Sequence, residues 1–145
     1  MDYSLHPASA NFFRVANGNF IDICVLEWCK LFADKKGKHY RENVVADKAG
    51  FEAELLKHLG IDEAAFEKEI ERMRQYRDKF LAHLDSEEIM NIPDLEIPKK
   101  AAWFYYAYLV ANETVEGNFV GFDADLDGLY VRMEREAEAA YRRVQ

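Results

Sequence analysis

The fold is decided by the stretch EAAFEKEIERMRQYRDKFLAHL, which spans residues 63–84. Its apolar residues Phe66, Ile70 and Met73 recur at steps of four and three, which is the spacing of one face of an α-helix. Continuing this rhythm places Arg77 at the next position of the same apolar stripe. A guanidinium stays charged, and burying it is costly unless a partner neutralises it. Arg77 therefore indicates either a structural ion pair or a functional site.

Helical spacing also dominates the rest of the chain, and no segment shows the sustained alternation of a β-strand. The pattern predicts long helices at about 9–33, 63–84, from Pro98 through residues 103–110, and from 125–127 onward, with short helices at about 40–47 and 51–59. Asp62 is the expected N-cap of the helix that follows it, and Gly60 the end of the preceding one. Since 145 residues fit one domain, residues 1–145 are predicted to form a single all-α domain, a compact bundle of four to five helices.

Two details of the first helix follow from the same pattern. Its inner face is predicted to carry Phe13, Ala16, Phe20, Cys24, Glu27 or Trp28, and Leu31. The three residues Asn17-Gly18-Asn19 are poor helix formers and are expected to kink or split it.

Composition limits the classes of function. A net charge of −8 argues against a broad surface that coats nucleic acid, although it leaves room for a small basic cleft. Cys24 and Cys29 form no CxxC pair and are expected to be reduced core thiols of a cytoplasmic protein. No signal peptide is visible, and the longest apolar run, Ala101 to Ala111, is too short to span a bilayer. No membrane association, cofactor or metal is predicted.

The segment Arg77-Asp78-Lys79-Phe80-Leu81-Ala82-His83 carries the chemistry of greatest interest. In an ideal helix Arg77 and His83 lie about 9 Å apart along the axis and about 120° apart around it, so convergence depends on long side chains or a second copy of the helix. Histidine transfers protons near neutral pH, and arginine binds phosphate oxygens. Between Lys68 and His83, five Lys or Arg residues face three acidic ones. The pair therefore suits cleavage of a phosphodiester whose 2′-hydroxyl is the nucleophile.

This segment resembles the signature of the HEPN superfamily (higher eukaryotes and prokaryotes nucleotide-binding), which is an arginine, a polar residue, a few variable residues and a histidine. Asp78 fills the polar position. Residues Leu26-Glu27-Trp28-Cys29-Lys30-Leu31-Phe32, followed by Lys38-His39-Tyr40, also resemble a branch linked to abortive phage infection. The resemblance in residues is confined to these stretches.

The resemblance implies a metal-independent endoribonuclease of a phage-defence or toxin–antitoxin system, with RNA as substrate and an antitoxin protein as partner. It also implies a homodimer in which the Arg-x5-His motifs of both subunits meet in one cleft. The expected catalytic residues are Arg77, His83 and Asp78, where Asp78 orients a partner side chain. Expected substrate-binding residues are Arg74, Lys79 and Tyr76.

Two alternatives remain at this level. Arg77 is also explained by an ion pair with Glu27 or Glu113, and His83 by its favourable position near a helix C-terminus. The chain would then be a non-catalytic helical module that binds a protein or a nucleotide, which its acidic net charge favours.

Other motifs are weaker. The string Asp123-Ala124-Asp125-Leu126-Asp127-Gly128 with Glu134 has the spacing of an EF-hand calcium loop. However, an apolar repeat at 126, 130, 133, 137, 140 and 144 predicts that residues 126–134 are helical, and a helix does not wrap an ion. His39-Tyr40-Arg41 is expected to form a surface turn rather than part of a cleft. The aromatic residues 103–108 are expected to form core or dimer contacts rather than to stack bases.

Overall fold

The backbone folds into helices, and the described part of the chain contains no β-strand. The computed structural model describes residues 7–82, 92–112 and 125–143, with the side chains of 15–79, 92–112 and 125–142. The helices are α1 (Pro7–Phe32), α2 (Arg41–Val44), α3 (Lys48–Leu59), α4 (Glu63–Tyr76), α5 (Glu96–Asn112) and α6 (Leu126–Arg143), and a π-helical segment, Arg77–Ala82, continues α4. The predicted all-α helical bundle is confirmed.

Local capping signals set the helix boundaries. The Asp62 carboxylate accepts a hydrogen bond from the Ala65 amide at 2.8 Å, so the predicted N-cap of α4 is confirmed. Gly60 ends α3 in the left-handed conformation, with φ of 68°, which glycine adopts without strain because it has no Cβ. Helix α3 begins at Lys48, earlier than the predicted residue 51, because Asp47 caps it by accepting from the amide of Gly50.

Helix α1 packs through a face that differs from the predicted one. Val25, Trp28, Cys29 and Phe32 are buried, whereas Phe20 is 65% exposed and Cys24 is also exposed. The prediction of Phe20 and Cys24 as inner residues was therefore wrong. Apolar residues occur on every side of this helix, so their spacing does not single out one face.

The α1 helix also runs without interruption through Asn17-Gly18-Asn19, where a kink was expected. The low intrinsic helix propensity of three residues costs only a few kcal/mol at most, about 1 for the glycine. Flanking turns on both sides are helical and supply the backbone hydrogen bonds.

An aromatic cluster joins four helices in the core. The ring of Phe32 contacts Trp28, Phe66 and Tyr105, with ring centroids 4.8 to 6.1 Å apart. The indole of Trp28 donates a hydrogen bond of 3.0 Å to the carbonyl oxygen of Pro98, which ties α1 to the first turn of α5. Because Tyr105 and Phe51 also stack edge to face, α3 and α5 close the same core.

The aromatic helix α5 lies against this core on one side and meets α6 on the other. Trp103 packs edge to face on Tyr130, and its indole donates to the Asp127 carboxylate at 3.2 Å. These contacts place the aromatic residues of α5 in intrachain packing, in line with the expectation of core contacts. No helix in the described ranges is both long and apolar enough to cross a bilayer.

Candidate functional site

Three arginines converge on the C-terminal end of α1. Arg41 donates to the carbonyl oxygen of Phe32 at 2.8 Å, and Arg74 to the carbonyl oxygen of Ala33 at 3.2 Å. Arg77 donates to the side-chain carboxylate of Asp34, the residue that follows Ala33, at 2.6 Å. Carbonyl groups at a helix C-terminus carry partial negative charge and lack helical partners, so they favour cations.

Arg41 is a structural arginine in which each of the three guanidinium nitrogens has a hydrogen-bond partner. Its Nε and Nη2 atoms donate to the two carboxylate oxygens of Glu52 at 3.1 and 3.2 Å, and Nη1 donates to the Phe32 carbonyl. The guanidinium also lies over the rings of Phe32, Tyr40 and Phe66. The residue is 4% exposed. The expectation that His39-Tyr40-Arg41 forms a surface turn was therefore wrong for Tyr40 and Arg41, which both lie inside the protein, whereas His39 is exposed.

Arg77 is held in a different way, by two separate carboxylates. Its Nε donates to Asp78 at 2.8 Å and its Nη1 donates to Asp34 at 2.6 Å, while the side chain is 20% exposed. The hydrogen bond to Asp78, followed by that to Asp34, raises the pKa of the guanidinium above its ordinary value. Arg77 is therefore permanently charged.

The difference between the two arginines lies in Nη2. In Arg41 this nitrogen is bonded to Glu52, whereas in Arg77 it donates to none of the side chains or carbonyl groups that the structure describes. Nη2 contributes one N–H to each of the two edges that a guanidinium offers to an anion. Neither edge of Arg77 is therefore fully occupied by described partners.

The helix changes its geometry at Arg77. Residues Arg77–Ala82 form a π-helical turn, with hydrogen bonds from i to i+5, where a continuous α-helix over 63–84 was predicted. That part of the prediction was wrong, because a one-residue expansion leaves no trace in α-helical spacing. Single π-helical turns are rare and occur often at functional sites. Here the turn coincides with the Arg-x5-His segment.

The other predicted site residues are placed as follows. Asp78 is part-exposed and accepts from Arg77, so the side chain that it orients is that of Arg77. Arg74 bridges Glu71 and the Ala33 carbonyl, and Lys79 is exposed. Tyr76 is buried, with its hydroxyl donating to Asp22 at 2.7 Å, so its ring belongs to the core. His83 lies outside the described residues.

The local positive charge counted along the sequence is largely neutralised in the folded chain. Arg72 pairs with Glu69, and Arg74 pairs with Glu71 one helical turn earlier. Arg77 forms ion pairs with Asp34 and with Asp78, its neighbour in the sequence. The site is therefore a set of paired charges rather than a basic patch, and such a surface has a low affinity for polyanions.

Sequence reasoning missed Asp34, which is the main partner of Arg77 from another element. The predicted partner Glu27 pairs with Lys30 instead, and the other candidate, Glu113, lies outside the described residues. Asp34 follows the end of α1, but 43 residues separate it from Arg77. Only the packing of α1 against the end of α4 brings the two together.

Cys29 lies beneath the site and is fully buried. Burial raises the pKa of its thiol to about 11, and the nearby Arg77 lowers it by less. Cys24 on the same helix is exposed, which makes it a matched reference.

We expect iodoacetamide at pH 8 to modify Cys24 quickly and Cys29 only after unfolding, because the thiolate is the reactive form and Cys29 is both inaccessible and protonated. The raised pKa also makes stability depend on pH. Since the folded-state pKa of Cys29 exceeds the unfolded value, Cys29 contributes stability below about pH 9 that is lost as the pH rises toward about 11.

Mass spectrometry of native and urea-treated protein measures the iodoacetamide labelling of the two cysteines. Equal rates at both cysteines in native protein would contradict this placement.

From Leu126 onward, the EF-hand-like string is helical. Helix α6 begins at Leu126, as predicted, and the Asp125 carboxylate caps it by accepting from the amide of Gly128 at 2.8 Å. Asp127 accepts from the Trp103 indole. These two carboxylates thus have structural partners, and Asp123 lies outside the described residues. Across the described side chains, no three groups of metal-ligating type converge.

No protein-family model, curated protein or solved structure matches this chain. The functional assignment therefore depends on the geometry around Arg77 and on the motif in which it lies.

Proposed function

We propose that this chain is a HEPN-like, metal-independent endoribonuclease of a phage-defence or toxin–antitoxin system, acting in the cytoplasm as a homodimer. The observation that supports the proposal is Arg77 itself. It extends a buried apolar stripe, keeps Nη2 unbonded to described residues, and begins a π-helical turn within an Arg-x5-His segment. A purely structural ion pair accounts for the first of these features, whereas the unbonded Nη2 and the π-helical turn favour a binding role.

In the proposed reaction, His83 takes the proton of a ribose 2′-hydroxyl, whose oxygen attacks the adjacent phosphorus atom. Arg77 binds two phosphate oxygens and stabilises the charge that develops in the transition state. The bond from phosphorus to the 5′-oxygen breaks, and the leaving oxygen takes a proton from a histidine or from water. The products are a 2′,3′-cyclic phosphate and a 5′-hydroxyl.

Supporting residues follow from the described contacts. Asp78 fixes the orientation of Arg77 through Nε. We propose that Arg74 and the exposed Lys79 contact the RNA backbone. Tyr76, with its ring in the core, supports α4 rather than stacking on a base. We propose that a second subunit brings its own Arg77–His83 pair to the same cleft, and that an antitoxin protein covers it.

The test is induced expression in a bacterial host of the wild-type protein, Arg77→Ala and His83→Ala, with total RNA separated on a gel. We expect growth arrest and RNA cleavage by the wild type, both lost in each variant. Harmless behaviour of all three proteins, each shown to be folded, would reject the ribonuclease.

A second candidate function is supported by exposed apolar side chains. Val15, Phe20 and Ile23 on α1 are all more than half exposed, as is Met133 on α6. Such residues on helix surfaces favour contact with another protein, so a non-catalytic module that binds a protein partner is the alternative. Light scattering of the purified protein distinguishes the two: a monomer without RNA cleavage favours the module.

A further inference from the structure

The carboxylate of Asp34 accepts a hydrogen bond from Arg77 Nη1, a donor that a bound phosphate would use. Its Oδ1 accepts from Arg77 Nη1 at 2.6 Å, and the side chain is 40% exposed. With Asp78 on Nε, Arg77 carries two carboxylates for one positive charge. These three groups together carry a net charge of −1, which disfavours the binding of a further anion.

Two neighbouring N–H groups are needed to bind a phosphate bidentately. Arg77 offers the Nη1–Nη2 edge and the Nε–Nη2 edge, and each is half occupied, by Asp34 and by Asp78 respectively. Displacing Asp34 frees the whole Nη1–Nη2 edge while Asp78 continues to hold Nε. The guanidinium then keeps its orientation as it exchanges one anion for another.

We propose that Asp34 is an intramolecular competitor that holds Arg77 Nη1 until a substrate phosphate displaces it. The inference rests on the proposed function in one respect, that Arg77 is the group that binds phosphate. The Asp34 carboxylate thus limits the affinity of the resting protein for RNA, and the ion pair acts as an autoinhibitory contact.

The turn that carries Asp34 allows this exchange without a change of fold. The backbone amide of Asp34 donates to the Cys29 carbonyl at 2.9 Å, and the backbone carbonyl of Asp34 accepts from the Gly37 amide at 2.7 Å. Asn43 fixes the same turn by donating to the Gly37 carbonyl. Because the backbone is held on both sides, only rotation of the aspartate side chain is required to release Arg77.

The experiment uses fluorescence anisotropy with a 2′-O-methyl RNA oligonucleotide, which binds but lacks the nucleophile for cleavage. We expect Asp34→Asn to bind about fivefold more tightly than the wild type, since an accessible ion pair of this kind is worth up to about this factor. Glu27→Gln is the matched control, because it removes one negative charge from the same end of α1 while its partner is Lys30. We expect that control to stay within twofold of the wild type.

A double variant separates competition from net charge. Asp34→Asn combined with Arg77→Ala should bind no more tightly than Arg77→Ala alone, because the gain requires a free Arg77. An equal gain in Glu27→Gln, or unchanged or weaker binding by Asp34→Asn, would overturn the inference. If Asp34→Asn does not fold, as judged by circular dichroism, Asp34→Ser provides the same readout.

The outcome is independent of whether the chain cleaves RNA. An Arg77-dependent gain in binding, without cleavage of unmodified RNA by any variant, would retain the competitor and reject the nuclease. Cleavage of unmodified RNA by the wild type, without a gain in Asp34→Asn, would reject the competitor alone.

Discussion

Arg77→Lys is expected to lower the rate of RNA cleavage by about 10²–10³-fold, the loss typical of removing one group that stabilises transition-state charge. Lysine retains the positive charge but replaces the planar fork by a single ammonium group, which does not bind two phosphate oxygens side by side. The folded chain already holds the fork in place, with Nε on Asp78 and Nη1 on Asp34. Initial rates on a fluorescent RNA, measured at saturating substrate, report the change in kcat.

The matched control is Arg72→Lys, one turn earlier on α4. Arg72 pairs with Glu69 and donates to the Asp94 carbonyl, so it makes contacts outside the Arg77 site. We expect its cleavage rate to stay within about twofold of the wild type. Full activity of Arg77→Lys would show that charge alone suffices and would remove the argument from bidentate geometry. A comparable loss in Arg72→Lys would indicate a general effect on the helix.

Much of the fold follows from signals that act over short stretches of sequence. Asp62 and Gly60 mark helix ends because a carboxylate satisfies free amide groups and glycine tolerates a positive φ, and both effects require only neighbouring residues. The buried face of α4 follows from Phe66, Ile70 and Met73, since polar residues separate them. In α1, by contrast, apolar residues surround the helix, and only its neighbours decide that Val25 is buried and Phe20 exposed.

The candidate site shows the same division. Arg77 is visible in the sequence because a charged residue interrupts an apolar stripe. Asp34 is not, because its contact with Arg77 spans 43 residues and depends on how α1 ends beside α4. Arg41 was misplaced because a short polar turn resembles a surface loop, whereas Glu52 and three aromatic rings make its burial favourable.

The α6 helix shows a further limit of sequence patterns. Its regular apolar spacing predicts a helix with one apolar face, and the helix is present, yet Tyr130 and Met133 are about half exposed. Periodicity therefore establishes that a face exists but not that the same chain covers it. This face and the exposed part of α1 would be covered by a second copy of the chain in the homodimer, and by a different protein in the protein-binding module.

Arg41→Met is expected to lower the free energy of unfolding by about 3 kcal/mol, near the lower end of the range for breaking a buried ion pair, because the Glu52 partner is partly exposed. The substitution leaves that carboxylate without its bidentate partner and the Phe32 carbonyl without its donor. Urea denaturation followed by circular dichroism measures the change through the midpoint at constant slope. The exposed pair of Lys30 with Glu27 is the control, and Lys30→Met should cost less than about 1 kcal/mol.

A second substitution tests the reason for that loss. If the cost arises mainly from the stranded carboxylate, then adding Glu52→Gln to Arg41→Met should recover part of the stability, because a neutral amide is cheaper to keep in a partly buried position. If it arises mainly from lost packing of the guanidinium over Phe32, Tyr40 and Phe66, the double variant should be no more stable than Arg41→Met. We expect recovery of more than 1 kcal/mol, since both Nε and Nη2 are committed to Glu52 and the carboxylate has the larger desolvation cost.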